Sequence, residues 1–437
     1  MRATMVGAGV MGLGGAANTE KRRKPNVVVI LADDLGYGDL GCCGSTLAST
    51  PNLDGLAADG LRFTDFHSNA AVCSPTRAAF LTGRYQQRVG IENVLRPTTH
   101  RDKPGLPLEA VTFVTLLRNA GYATALMGKW HLGYPPAFNP VHHGFNVFHG
   151  FLSGNIDYQS HVDGAGQLDW WNGLEIGQEK GYTTDLITDH GVRFIEQNKE
   201  RAFCLYLAHG APHAPYQGPK DPAGRAVGKP DPGEGQRKDK KGAYREMIES
   251  MDGGVGRIIG TLGRLGLDRD TFVFFCSDNG AVALGSNRPL SSLKGELGEG
   301  GHRVPAIAYW PGRIRPGINA QTAMTMDVFP TLAEIAGASV PPGLKLDGSS
   351  MLALLTEGKP MPERTLFWRT GANTPERAAR RGPWKLRVTQ ERTTLHNLDA
   401  DLAERNDLAV EKPEKVQELK QALAEWEEQF RGISRLA

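Results

Sequence analysis

The stretch Asn26-Val27-Val28-Val29-Ile30-Leu31-Ala32, running directly into Asp33-Asp34-Leu35-Gly36, decides the fold. A short β-branched run bounded by Pro25 on one side and an acidic turn on the other reads as a buried strand that ends in a loop. Thr271-Phe272-Val273-Phe274-Phe275-Cys276 repeats the pattern and ends in Ser277-Asp278-Asn279-Gly280. Residues 202–208, which stop just before His209, give a third strand, and 306–310 a fourth. Helical patterns lie between them at 110–120, 184–198 and 244–265. Strands alternating with helices imply a mainly parallel α/β sheet. Such sheets bind ligands in the crevice beyond the carboxyl ends of their strands, so the polar clusters that follow these runs are where a site is expected.

Outward from that core, residues 218–242 are rich in Pro, Gly, Lys and Asp without an apolar period, and read as a surface loop. Past about residue 340 short strand-like pieces appear at 365–369 and 384–388, then a strongly charged helix over 414–430. The expected organisation is a leader or tail over 1–24, a catalytic α/β domain over 25–345, and a smaller α+β subdomain over 346–437. In the first segment, Arg2, a Gly/Ala/Val/Met stretch, Gly15-Ala16-Ala17 and Asn18-Thr19-Glu20 resemble the apolar and cleavage parts of an export signal with a short basic start. An exported protein, periplasmic or extracellular, is therefore expected.

The chain has 437 residues with a formal net charge of +2, 40% hydrophobic and 22% charged, the composition of a folded protein with no global attraction to nucleic acid or an anionic membrane. No run is apolar for long enough to span a bilayer. Five cysteines are too few and scattered for a disulfide framework. Cys42 and Cys43 are adjacent and poorly placed to pair, while Cys204 and Cys276 sit in apolar runs as buried thiols.

Five signals carry chemistry, the first of them split between two acidic segments. Asp33-Asp34 and Asp278-Asn279 follow strands; vicinal acids repel unless a cation neutralises them, and oxygen-only ligands suit calcium or magnesium. Each pair alone is also an ordinary turn. Cys73-Ser74-Pro75-Thr76-Arg77, followed by Leu81-Thr82-Gly83-Arg84, sets an arginine one helical turn after a cysteine and on the same face. Gly128-Lys129-Trp130-His131-Leu132-Gly133 places a lysine and a histidine two apart, which in an extended segment share a face. Ala211-Pro212-His213-Ala214-Pro215 follows the third strand. Pro289-Leu290-Ser291-Ser292-Leu293-Lys294-Gly295 precedes Glu299-Gly300-Gly301-His302-Arg303-Val304-Pro305.

Together these segments resemble the sulfatase family over about residues 26 to 410, including Leu395-His396-Asn397-Leu398-Asp399 near the end. The resemblance implies an alkaline-phosphatase-like α/β fold and hydrolysis of a sulfuric ester. The family signature cysteine is oxidised to formylglycine by a formylglycine-generating enzyme, and Cys73 falls on that position. A hydrated aldehyde carries two hydroxyls on one carbon, one to attack sulfur and one to expel sulfate afterwards. The resemblance also implies one calcium ion held by Asp33, Asp34, Asp278 and Asn279, in contact with residue 73. Arg77 would hold the diol, Lys129 and Lys294 would neutralise sulfate, His213 would protonate the leaving alcohol, and Asp278 and His131 would serve as bases. His209 competes with His213 from nearer the strand end. Ser153, in a weaker match running from His143-Gly144-Phe145 to Asp157-Tyr158, would lie near the sulfate. Arg303 and His302 are not counted as catalytic. Ser291-Ser292 stands where the family often has Arg-Gly.

The expected partner is a sulfated small molecule or glycan, with specificity in loops 92–106, 134–172 and 218–242; a sulfated sugar is the expected class. Two rivals remain open: a phosphonate monoester or phosphodiester hydrolase of the same superfamily, and a non-catalytic binder of sulfated polymers should Cys73 stay a thiol.

Overall fold

The computed structural model describes residues 24–231, 233–371 and 376–433, so the expected leader over 1–24 lies, but for Lys24, outside the described residues. A ten-stranded sheet runs through the main body. At its centre Asn26–Ala32 lies between Phe203–Ala208 and Thr271–Ser277, parallel to both. Ala123–Lys129 and Val147–Phe151 continue the sheet in parallel beyond Phe203–Ala208. Ala306–Tyr309, the fourth expected strand, joins antiparallel.

The central strand is buried on both faces, which is why it reads as an unbroken apolar run. Val27, Val29 and Leu31 pack into one core with helices Cys73–Thr82, Phe113–Asn119 and Val328–Ala336. Val28, Ile30 and Ala32 face the other, with Thr183–Asn198 and Lys240–Arg264. Two helix starts differ from expectation for local reasons. The Thr112 hydroxyl accepts from the Thr115 N–H, so the first helix begins at Phe113. The Asp239 carboxylate accepts from Gly242 N–H, so the long helix starts at Lys240, inside the stretch expected to be loop.

Register places the site. Ala32 pairs with Ser277, so Asp33 and Asp278 leave the sheet side by side. Leu31 pairs with Ala208, and Gly128 pairs with Ala208, which brings Lys129 and the chain after 208 to the same edge.

The C-terminal part forms a four-stranded antiparallel sheet, Thr365–Arg369, Arg377–Arg381, Trp384–Val388 and Thr393–Asn397, covered by helix Pro413–Glu428. Its own core includes Trp368, Leu386, Leu395, Leu419 and Trp426. It docks on the main body through that core, which Tyr85, Leu297 and Met326 of the main body join, and through polar contacts: Trp368 Nε1 donates to Ser68 O (2.9 Å), Arg380 pairs with Asp65 (2.7 Å) and Lys385 with Glu299 (2.8 Å).

Candidate active site

Asp33 and Asp34 form the turn after the central strand, and Asp34 takes a left-handed conformation (φ 66°) that aspartate tolerates better than most residues. Neighbours hold that turn. Asp34 N–H donates to Asp278 Oδ1 (3.3 Å), Leu35 N–H to Ser277 Oγ (3.1 Å), and Tyr244 Oη to the Asp34 carbonyl (3.0 Å). Asn279 Nδ2 donates to Asp34 Oδ1 (2.7 Å). The two carboxylate pairs, 244 residues apart in sequence, thus meet in one cluster.

Cys73 is the first residue of its helix, so its side chain stands at the positive end of the helix dipole. It is 1% exposed, with Sγ 3.2 Å from Asp33 Oδ1 and 3.7 Å from Lys294 Nζ. Burial, reinforced by Asp278 and Asp33, pushes the thiol well above its ordinary value. A thiolate nucleophile is therefore disfavoured here, although Lys129 and Lys294 flank the position. Arg77 lies one turn on, as the spacing requires, and donates through Nε and Nη2 to Asp278 Oδ2 (3.1 and 2.9 Å) and through Nη1 to the Lys129 carbonyl (3.2 Å). Lys129 Nζ pairs with Asp33, and Lys294 Nζ with Asp34 (2.7 Å). Burial alone would raise the Asp34 carboxyl, but Lys294 and His213 overcome it and hold the group below the usual carboxylate range. Asp278 is pushed up to about 6, by burial first and then by Asp33.

Lys129 ends its strand, but His131 is not in extended backbone. Its φ of 59° is left-handed, so the two side chains do not share a face by strand alternation, as the spacing predicted. They converge because the chain turns. His131 Nε2 donates to the Leu95 carbonyl (2.8 Å), which leaves Nδ1 as a buried lone pair with no partner among the described residues. A Cβ at Gly154 would fall 2.6 Å from that ring, so glycine is needed there. His213 Nδ1 donates to the Ala214 carbonyl (2.6 Å), leaving Nε2 toward Asp34 Oδ2 at 3.7 Å. Burial and then Lys294 lower its pKa to about 3.

A cavity of about 430 Å³ opens over this cluster, lined by Cys73, His131, His213 and Lys294 and, from the loops, by Arg96 and Asn155. Ser153 does not line it: the side chain is buried and its hydroxyl donates to the Asn155 carbonyl (2.8 Å), so it shapes the wall from behind. His209 is also buried and absent from the wall, its backbone N–H tied to Leu31 O (2.9 Å). Asn155 was not singled out from the sequence. Its Oδ1 accepts from Arg225 (2.8 Å), which reaches in from the 218–242 loop, and no sequence motif marks either residue.

The donor set fits a hard divalent cation. Ligand atoms of Asp33, Asp34, Cys73 and His213 lie within 4.8 Å of one another. Asn279 donates through its amide nitrogen to Asp34, and its Oδ1 is a buried oxygen with no partner among the described residues. Three carboxylates and one carboxamide oxygen are the chemistry such an ion selects.

Against known proteins, a family model described as Sulfatase matches residues 25–338. Arylsulfatase A of Bos taurus is 37% identical over 388 residues, covering 81% of this chain and 72% of that protein. N-acetylgalactosamine-6-sulfatase of Mus musculus is 35% identical, over 79% of this chain and 69% of that one. The crystal structure of Ps i-CgsB in complex with k-i-k-neocarrahexaose superposes with a TM-score of 0.83 at 29% identity, covering 92% of this chain and 93% of that chain.

Proposed function

This chain belongs to the sulfatase family, and on that premise we propose that it removes sulfate from a carbohydrate ester, using Cys73 as formylglycine and one calcium ion. Residues 25–345 would be the catalytic domain and 346–437 its subdomain. The observation that carries the reading is the set of groups around one buried cysteine: Asn279 Oδ1 and His131 Nδ1, without partners among the described residues, and Lys294, which faces an open cavity.

Asp33, Asp34, Asp278 and Asn279 would hold the ion, with residue 73 beside them. Oxidised to an aldehyde and hydrated, position 73 supplies two hydroxyls on one carbon, and the bound ion supplies positive charge for sulfate oxygens. The rest falls to the chain's own side chains. Lys294 and Lys129 stabilise negative charge on sulfate as it develops in the transition state. Arg77, a positioning residue, holds Asp278 and the Lys129 carbonyl in place. Asp278 would be a base for a proton at position 73, and the His131 Nδ1 lone pair would take the second. His213 Nε2 donates to the leaving alcohol. Burial and then Lys294 oppose its protonation in the free site, and an arriving sulfate, being an anion, offsets the Lys294 part. Support for a sugar substrate comes from two relatives, one named for N-acetylgalactosamine 6-sulfate and one crystallised with k-i-k-neocarrahexaose. A formylglycine-generating enzyme would be the maturation partner, and export would follow from the apolar stretch after Arg2; cell fractionation tests the latter. Among the described residues, no helix is long and apolar enough to cross a membrane.

Turnover of 4-methylumbelliferyl sulfate and phosphate, with a panel of sulfated mono- and oligosaccharides, tests the reading. Sulfate should be the faster ester. A faster phosphonate or phosphodiester would assign the rival hydrolase, and no turnover of any ester would leave only a binder. His213→Ala should lower kcat/KM far more on sulfated sugars than on the aryl sulfate, whose leaving group needs little protonation. Equal losses on both would mean that His213 binds sulfate, making Lys294 the better candidate acid.

A further inference from the structure

We propose that the substrate extends from the catalytic cavity into a second cavity beside it, where Arg96 on the shared wall binds a second sulfate group of a sulfated oligosaccharide. The proposal rests on the sulfated-sugar reading above and deepens it.

The second cavity is about 360 Å³ and has Val72, Val94, Arg96 and Gly295 in common with the catalytic one, so the two are adjoining parts of one groove. His100 and Thr370 also line it, which makes the C-terminal sheet its far side. Arg96 is exposed, and among the described residues its guanidinium makes no ion pair or hydrogen bond. A free, forked cation between two cavities matches the oxygens of a sulfate.

His100 adds an independent pointer. Its Nδ1 accepts from the Arg96 N–H (3.0 Å) and lies 2.8 Å from the Thr99 hydroxyl, so the ring proton is on Nε2. Among the described residues that buried Nε2–H has no acceptor, in a residue only 8% exposed. A ligand oxygen is the partner it lacks.

The wall that carries Arg96 is fixed at both ends of residues 92–95. Glu92 accepts from Arg369 Nε and Nη2 (3.0 and 2.6 Å), tying the wall to the C-terminal sheet. The Leu95 carbonyl accepts from His131 Nε2 and Tyr134 Oη (both 2.8 Å), and the Leu95 N–H donates to Ser74 Oγ (3.2 Å), tying it to the catalytic helix and loop. Arg96 is therefore presented at a set distance from Cys73, as recognition of two sulfates on neighbouring sugars requires. Little loop ordering remains to be done on binding.

Isothermal titration tests this with persulfated glucose and persulfated maltotriose as probes, on Cys73→Ala protein so that neither is consumed. The trimer should bind at least about tenfold more tightly than the monomer, and adding Arg96→Ala should erase most of that gain while weakening the monomer less. Arg96→Lys should recover part of the gain, since charge returns without the fork. Equal affinity for the two probes overturns the proposal. So does a length gain that survives Arg96→Ala, or a loss equal for both probes, which marks diffuse attraction of polyanions. Binding does not depend on turnover, so failure here is separate from failure of the aryl sulfate assay.

Discussion

The cleft at the carboxyl edge of the large sheet and the junction between the two sheets are built from the same kinds of residue. The cleft gathers Asp33, Asp34, Asp278, Lys129, Lys294 and Arg77; the junction gathers Asp65, Glu299, Arg303, Arg380 and Lys385 with His67 and His302. Both are buried, and each contains a His/Cys/acid group compact enough to ligate a metal. They differ in what is left over. At the junction, the two rings meet Nδ1 to Nδ1 (3.0 Å), His302 Nε2 lies against Lys385 Nζ (3.1 Å) and the Leu297 carbonyl (3.3 Å), and His67 Nε2 lies against Asp65 (2.9 Å) and Arg380 Nη1 (2.9 Å). All four ring nitrogens thus have a partner within the protein, and burial favours both imidazoles neutral. In the cleft, Asn279 Oδ1 and His131 Nδ1 have no partner among the described residues, and Lys294 and His213 keep 18% and 16% of their side chains open. Buried charge whose valences close on each other fastens two sheets together; buried charge with valences open toward a cavity binds something.

Crossed substitutions test that division hardest. Cys73→Ala should abolish turnover while leaving the melting temperature nearly unchanged. Lys385→Ala should do the reverse, costing about 3–5 kcal/mol by removing the cation that the buried carboxylates of Glu299 and Glu404 share. Its surviving folded fraction should keep kcat. A Lys385→Ala protein that is stable but inactive breaks the comparison.

Metal content gives the next contrast. Elemental analysis should find one divalent ion per chain, lowered by Asn279→Ala and untouched by Glu299→Gln, because Lys385 already fills the coordination space of Glu299 and His302. Chelation should reduce activity more than stability. Two ions per chain would make the junction a second metal site.

The smallest effect is in pH. Burial holds His302 and His67 below the usual 6.5. The unfolded chain binds protons below pH 6.5 that the folded state refuses, so this stability is complete above that pH and lost as pH falls through it. Each imidazole contributes a slope of about 1.4 kcal/mol per pH unit there. Denaturant midpoints between about pH 5 and 6.5 should therefore show one proton less of dependence in His302→Gln. An unchanged slope would mean that His302 is already protonated in the fold.

The parallel core was legible because a strand buried on both faces leaves a continuous apolar run, as at 26–32 and 271–276. The acidic pairs were legible because each directly follows such a strand. What escaped was set by tertiary packing. Arg377–Arg381 is an inner strand of the small sheet, yet Arg-Ala-Ala-Arg-Arg carries no alternation, since Arg380 is buried by pairing with Asp65. Strand alternation gave the wrong reason for Lys129 and His131, because the chain leaves extended geometry at His131. Ser153 and His209 stood close to the site in sequence, but neither lines the cavity. Arg96 and Asn155 do line it and carry no motif, because the folding of loops selects them.

The central claim is that position 73 acts as an aldehyde and not as a thiol. Its most direct test is peptide mass spectrometry of the Cys73 segment in protein from its native host, with 4-methylumbelliferyl sulfate turnover measured on the same preparations. Turnover should rise in proportion to the fraction of residue 73 found as formylglycine and extrapolate to zero where that fraction is zero. Full turnover from protein in which residue 73 is wholly cysteine would contradict the account.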